Sequence, residues 1–237
     1  MIITGEMLIA AAIFLIVGYL FGSFPTGVFI GRKSGHDLQS EGSGNIGTTN
    51  AMRTMGKKAG LITFLGDLAK AFIPTLCVRF IYCGYIKGFD TDLTYLFTLI
   101  TGLGVFMGHI FPFYLKFKGG KGVAVSAAII IASSADLGIG MWMIFIGIAI
   151  FAIVVVITKY VSLGSLIVMW YFPIYVYLKF IESPYFWIMM VTGLIFVALI
   201  YIKHLGNIKR LLTGTERKIT DKKTDSTETN KNEGEKN

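Results

Sequence analysis

The sequence predicts an all-α integral membrane protein of about seven transmembrane helices, with its N-terminus outside and its C-terminus in the cytoplasm. Three observations carry that prediction: composition, the length of the apolar runs, and the placement of positive charge. Of 237 residues, 54% are hydrophobic and 15% charged, and the mean hydropathy is +0.68. A soluble domain of this size carries more polar residues than that. A spanning helix needs about 20 apolar residues, and several runs reach that length. The net charge of +8 sits beside the ends of those runs, where Lys and Arg set orientation.

In chain order, the first run is 7–30. The segment before it carries Glu6 and no basic residue, so it is expected to be a first helix and not a signal peptide. The second run, 61–82, contains Asp67 and Lys70, which share a helix face and are expected either to form a structural pair or to meet substrate. Arg79 lies nearer the outer end and is expected to snorkel. The third run is 93–114, and the last three are 139–158, 163–181 and 185–202. The stretch 123–137 is apolar but short, so it reads as a stubby span or a re-entrant piece. Seven spans with alternating sides require it to cross.

Arg32, Lys33, Arg53, Lys57 and Lys58 follow the first run, and Lys116, Lys118 and Lys121 follow the third. Lys159 precedes the sixth helix, and Lys203, Lys209, Arg210, Arg217 and Lys218 follow the last. The intervening loops are poor in Lys and Arg, so the basic loops are expected in the cytoplasm. The chain divides into a membrane domain, 1–216, and a polar tail, 217–237, that is too poor in apolar residues to fold alone. Basic residues beside helix ends suit anionic lipid. The aromatics form no base-stacking surface, so no nucleic-acid partner is expected. Cys77 and Cys83 have neither metal-ligand nor disulfide spacing, and no metal is expected.

Two Gly-rich, basic loops carry the chemistry. The first runs from Gly42 to Arg53 and presents Ser43, Asn45, Thr48, Thr49 and Asn50. It reads as a phosphate cradle or as an ordinary polar connection. The second, Lys116 to Gly122, places Gly119, Gly120, Lys121 and Gly122 before a small-residue helix. Unpaired N–H groups at such a helix start suit a phosphate, whereas a mere positive anchor needs no glycines. His109 precedes this loop and reads as a proton carrier or, more commonly for a lone His at a helix end, as a capping or packing residue. His204, Asn207 and Arg210 recur at every third position and would lie near one helix face, with Glu216 beyond Gly214. Ser162 and Ser165 stand where helix caps are common.

The ordered set of these segments resembles the bacterial integral-membrane acyl-phosphate:glycerol-3-phosphate acyltransferases. The matching pieces are Gly22-Ser23-Phe24-Pro25 leading to Gly31-Arg32, then Gly42 to Arg53, then Asp67 with Lys70. Gly108-His109-Ile110-Phe111-Pro112 runs into Phe117 to Ala124. Ser162-Leu163-Gly164-Ser165 and His204 to Glu216 close the pattern. The resemblance implies a seven-helix bundle in the bacterial cell membrane. It also implies transfer of a fatty acyl group from acyl phosphate to the 1-hydroxyl of glycerol 3-phosphate, giving lysophosphatidic acid. It implies no cofactor, and it points to the soluble enzyme that makes acyl phosphate as a partner.

By resemblance, Ser43, Arg53, His204 and Asn207 are catalytic residues and Glu216 a structural one. Asn45, Thr49, Asn50, Lys70, the glycines around Lys121, Lys121 itself, Ser162, Ser165 and Arg210 make up the expected substrate-binding set. Two positions depart from the family pattern. Its glycine motif continues Ala-Thr where Ala124 is followed here by Val125 and Ser126, and its Gly-Ala-Thr-Asn is here Gly47-Thr48-Thr49-Asn50.

Joining two anions requires charge neutralisation first, for which Arg53, Lys121, Lys70 and Arg210 are candidates. Acyl phosphate is already activated, so no protein nucleophile is needed, and no Gly-x-Ser-x-Gly elbow is present. The hydroxyl proton is expected to go either to His204 or to a substrate phosphate. Competing readings are weaker. A thioester-dependent acyltransferase uses His followed by Asp after four residues, a spacing absent here, and a CDP-alcohol phosphotransferase needs several Asp on one helix. An organophosphate transporter would place its polar groups at the midplane and not at one surface.

Overall fold

The computed structural model describes residues 4–136 and 138–221. Among the described residues every regular element is helical. The first apolar run forms two helices, α1 (Gly5–Ser23) and α2 (Thr26–Lys33). Pro25 separates them, because the residue before a proline is forced out of the helical region. Phe24 accordingly has φ −63° and ψ 116°. A short helix, α3 (Thr48–Met55), precedes α4 (Lys57–Leu76), which continues past Pro74 as wider π-type turns over Cys77–Lys87. Loss of the proline N–H explains the loosened ladder there. Then come α5 (Thr91–Ile110), α6 (Val123–Ser134), α7 (Ile139–Thr158), α8 (Val161–Val168), α9 (Tyr171–Phe180), α10 (Phe186–Lys203) and α11 (Leu205–Leu212).

Among the described residues, six helical segments are long and apolar enough to cross a membrane: Gly5–Lys33, Lys57–Lys87, Thr91–Leu115, Ile139–Thr158, Val161–Phe180 and Phe186–Lys203. The expected seventh, α6, has 12 residues and a length of about 18 Å, short of a typical hydrocarbon core of about 30 Å. It still carries the chain from one end of the bundle toward the other. Its N-terminus follows the glycine loop, while its last carbonyls lie at Arg79, whose guanidinium donates to Ala132 O and Ala135 O. Arg79 therefore does not snorkel as the sequence suggested. It satisfies the orphan carbonyls of a helix C-terminus inside the bundle.

α5 is the central helix and is buried along most of its length. α1 lies directly against it. Gly18 and Gly22 face Thr101 O and Val105 O, and Gly104 and Gly108 face Leu15 O and Tyr19 O, so closely that any side chain would collide with the opposite backbone. This is a reciprocal pair of small-xxx-small faces. A stacked pair, Phe172 on Phe196 at 4.3 Å between centroids, joins α9 to α10. At one end of the bundle Asp136 pairs with Lys179 and accepts from Tyr175. The other end gathers the loops at 34–56, 111–122 and 159–160 with the segment 204–221. Residues 217–221, assigned to the tail from sequence, lie against that end, where the Ile219 N–H donates to Lys159 O at 2.9 Å. The remainder of the expected tail, 222–237, lies outside the described residues.

Candidate active site

The first loop is built around Asn50. Its side-chain oxygen accepts the Ser43 N–H at 2.8 Å, and its amide nitrogen donates to Leu38 O and Glu41 O. Asn45 closes a small turn by accepting the Gly47 N–H at 2.9 Å. The α3 ladder begins at the Ala51 N–H, which donates to Gly47 O. The Thr48, Thr49 and Asn50 N–H groups therefore emerge unpaired from its start. Arg53, one turn on, lines the same cavity and makes no ion pair among the described residues. Burial is the main cause that lowers its pKa, with the nearby Arg217 charge adding to it; a guanidinium keeps its charge regardless.

The second loop is held differently. The Gly119 N–H donates to Ile110 O and the Gly120 N–H to His109 O, so neither N–H is free for a phosphate. Both glycines permit close approach instead: a side chain at 119 would strike the His109 carbonyl, and one at 120 would strike the His109 ring. Gly122 has φ +85°, a conformation that suits glycine, and it lines the cavity. The α6 ladder begins at the Ser126 N–H, bonded to Gly122 O at 2.8 Å. The N–H groups of Val123, Ala124 and Val125 are thus the unpaired ones, and Val123 and Ala124 line the cavity. Two helix N-termini, those of α3 and α6, open on one space. Gln39 ties the two loops by donating to Lys118 O.

The third component comes from α11 and the segment after it. Lys121 Nζ donates to Asn207 Oδ1 at 2.6 Å, and Asn207 Nδ2 donates to Glu216 Oε1 at 2.6 Å. Glu216 also accepts from Ser162 Oγ at 2.8 Å and from Arg210 Nε at 2.7 Å. These donors hold its carboxyl below the usual range against the opposing effect of burial. Burial pushes Lys121 down to about 8. His204 is 1% exposed, and its Nδ1 donates to Ile200 O at 2.9 Å. Burial lowers it to about 4, so it is a neutral imidazole with the Nε2 lone pair free.

These groups share one cavity of about 960 Å³. It is polar where Arg53, Lys121, His204, Asn207 and Arg210 meet, and apolar where Ile144, Ile148, Phe151, Val155 and Val168 line a groove between α7 and α8. Ser43, Asn45, Thr49, Asn50, Ser162, Ser165, Gly122 and Glu216 also line it. Not every expected residue offers its side chain. That of Asn50 is engaged by the loop, Ser162 by Glu216, and Ser165 by Val161 O at 2.8 Å. Lys70 does not line the cavity. Its ammonium donates to Phe24 O (2.9 Å), Asp67 Oδ1 (2.9 Å) and His109 Nδ1 (2.8 Å), which uses all three of its protons.

Lys203, Arg217 and Ser126 also line the cavity without having been singled out as site residues from sequence, as does His109, which read as a capping or packing residue. Lys203 and Arg217 flank residues that were singled out, so adjacency was the available signal. Nothing in the sequence shows that the His109 ring lies beneath a glycine eleven residues later.

Comparison with known proteins gives a consistent result. The family model described as glycerol-3-phosphate acyltransferase matches residues 12–214. The chain is 36% identical over 210 residues to the glycerol-3-phosphate acyltransferase of Trichlorobacter lovleyi, covering 88% of this chain and 98% of that one. It is 38% identical to that of Clostridioides difficile, covering 89% and 96%, and 36% identical to that of Bacillus subtilis, covering 88% and 97%. The crystal structure of PlsY, an integral membrane glycerol 3-phosphate acyltransferase, in its glycerol 3-phosphate form superposes with a TM-score of 0.73. The identity is 32%, with 88% of this chain and 94% of that chain covered. Its lysophosphatidic acid form gives a TM-score of 0.69 at the same identity and coverage.

Proposed function

The chain belongs to the glycerol-3-phosphate acyltransferase family, and on that premise we propose that its acyl donor is acyl phosphate. The fatty acyl group passes to the 1-hydroxyl of glycerol 3-phosphate, giving lysophosphatidic acid and inorganic phosphate. The observation that carries this reading is the shape of the cavity: one space joins a cationic mouth to an apolar groove. That shape suits a phosphate headgroup with a fatty chain, alongside a second phosphate. The relatives' crystal forms with glycerol 3-phosphate and lysophosphatidic acid support the acceptor and the product.

In this mechanism the glycerol 3-phosphate phosphate lies between the α3 and α6 N-termini, held by Arg53 and Lys121. Arg210, Lys203 and Arg217 favour the acyl phosphate nearby. Ser43 and Thr49 add hydroxyl donors, and Asn207 with Glu216 positions the Lys121 ammonium. His204 Nε2 accepts the hydrogen bond of the attacking hydroxyl. With a pKa near 4 it orients the hydroxyl but does not retain the proton. The hydroxyl oxygen bonds to the acyl carbon, the carbon–oxygen bond to phosphate breaks, and the departing phosphate carries the proton away as hydrogen phosphate. The basic loops favour the cytoplasmic side for this site, where a soluble enzyme making acyl phosphate would supply the donor.

The test is an assay of purified protein in detergent with labelled glycerol 3-phosphate, offering acyl phosphate, acyl-CoA and acyl carrier protein in parallel. Lysophosphatidic acid from acyl phosphate alone is the expected result. Product from a thioester instead would overturn the donor assignment. No product from a folded protein, combined with uptake of intact glycerol 3-phosphate into vesicles, would point to transport.

A further inference from the structure

Among the hydrogen-bond donors that line the cavity without a partner among the described residues are two near the glycine loop, one beneath Gly120 and one a turn into α6. The first is His109. Its Nδ1 is 2.8 Å from Lys70 Nζ, and an ammonium only donates. Nδ1 therefore holds the lone pair, and the single proton of the neutral ring is on Nε2. That nitrogen lies against Gly120, where the missing side chain leaves it room. His109 is 4% exposed, and its exposed part belongs to the cavity wall. The second is Ser126, 1% exposed, whose hydroxyl bonds nothing. The buried serines Ser133 and Ser165 bond back to the carbonyl four residues earlier, the usual outlet for a helical hydroxyl. Ser126 does not, and it faces the cavity.

We infer that His109 and Ser126 hold the carbonyl oxygen of the acyl donor and stabilise the negative charge that builds on it during attack. The inference rests on the acyl-transfer reading above. In that reading the phosphates occupy the cationic mouth and the chain occupies the groove between α7 and α8. The carbonyl joins the two, and the inference assigns it to His109 and Ser126, which line the same cavity. The oxygen gains charge as the glycerol hydroxyl adds and loses it as phosphate leaves. Both donors keep their protons throughout, so the stoichiometry of the transfer is unchanged. The two histidines then play opposite parts with opposite tautomers: His204 offers a lone pair to the hydroxyl, and His109 offers an N–H to the carbonyl. Asp67 and Lys70 are positioning residues that fix the His109 tautomer.

The variants Ser126→Ala, His109→Asn and His109→Gln separate this role from packing. An asparagine oxygen reaches the place of Nδ1 and keeps the Lys70 bond, but it leaves no donor at Nε2. A glutamine nitrogen reaches the place of Nε2. Turnover from acyl phosphate, the KM for glycerol 3-phosphate and the thermal midpoint would be measured for each beside the parent protein. H109N is expected to lose about a hundredfold in kcat, with S126A losing at least about tenfold. Both should keep the glycerol 3-phosphate KM within about twofold, the mark of an interaction made in the transition state. H109Q should recover much of the loss. Parent-like turnover in folded H109N or in S126A overturns the inference, as does equal loss in H109N and H109Q. If H109N does not fold, S126A decides alone. Failure of the parent protein to acylate with acyl phosphate would be a failure of the underlying reading, and is seen in the same assay.

Discussion

The loop from Gly42 to Arg53 and the loop from Lys116 to Gly122 look alike as strings of glycine and cation, and both lead into a helix N-terminus. They are built by opposite means. The first is self-contained: Asn50 and Asn45 organise it from within, and Arg53 has no ionic partner among the described residues. The second is fastened from outside. Its glycine N–H groups bond the end of α5, its lysine bonds Asn207, and a buried Asp67–Lys70–His109 cluster lies beneath it. The difference shows that glycine serves two distinct purposes here. In the first loop Gly42 and Gly44 adopt positive φ, +63° and +69°, which lets the chain turn. In the second, Gly119 and Gly120 let two backbones and a ring approach.

The contrast breaks most visibly at Gly120. Gly120→Ala drives a methyl into the His109 ring and should cost about 1–3 kcal/mol by overpacking, together with most of the activity. Gly44→Ala meets only Gln39 O and should cost about 1–2 kcal/mol from its positive φ, with activity largely kept. Turnover and thermal midpoints of the pair check this, and equal effects would erase the distinction.

Arg53→Ala comes next. Because Arg53 has no carboxylate partner among the described residues, its removal leaves no buried charge there, and the thermal midpoint should hold while kcat/KM for glycerol 3-phosphate falls about a hundredfold. Glu216→Ala should lower the thermal midpoint as well as kcat/KM, because Glu216 positions Asn207 and through it Lys121. It strips the partner from Ser162, Asn207 and Arg210 and should cost about 2–3 kcal/mol of stability. A third comparison is Asn50→Ala, expected to destabilise by about 1–3 kcal/mol because it leaves the Ser43 N–H, Leu38 O and Glu41 O without their partner. Urea or thermal unfolding in detergent reads both effects.

The smallest effect is in pH. Lys121 must be a cation to hold phosphate, and its pKa is lowered to about 8. Its contribution is full below that value and is lost as pH rises through it, so kcat/KM for glycerol 3-phosphate should fall above about pH 8. Lys121→Arg keeps its charge and should remove that limb. A profile unchanged by the substitution would mean that another group controls it.

Much of the fold was legible, because a run of about 20 apolar residues has few alternatives to a membrane helix. All six long spans follow the apolar runs, although the run 7–30, read as one helix, is broken at Pro25 into α1 and α2. The Gly18/Gly22 and Gly104/Gly108 packing was not read from sequence, and the structure is what shows that these pairs face each other. The candidate site was legible as a set of residue types and not as a set of free groups. Lys70 reads as a cation available to substrate, yet its acceptors come from residues 24 and 109 as well as 67. Ser165 reads as a donor, but its own helix takes its hydroxyl. Whether a side chain is engaged depends on partners distant in sequence, and local pattern carries no record of them. His109 was read as a packing residue for the same reason, since its Lys70 contact spans 39 positions.

The central claim is that these two differently built loops close on a single glycerol 3-phosphate. A double-mutant cycle tests it directly, with kcat/KM for glycerol 3-phosphate measured in the parent protein, Arg53→Ala, Lys121→Ala and the double variant at saturating acyl phosphate. If both loops grip one phosphate, the two losses should couple by about 1 kcal/mol or more. Losses that add to within about 0.5 kcal/mol, in variants shown to be folded, would contradict a shared site and separate the two loops into independent roles.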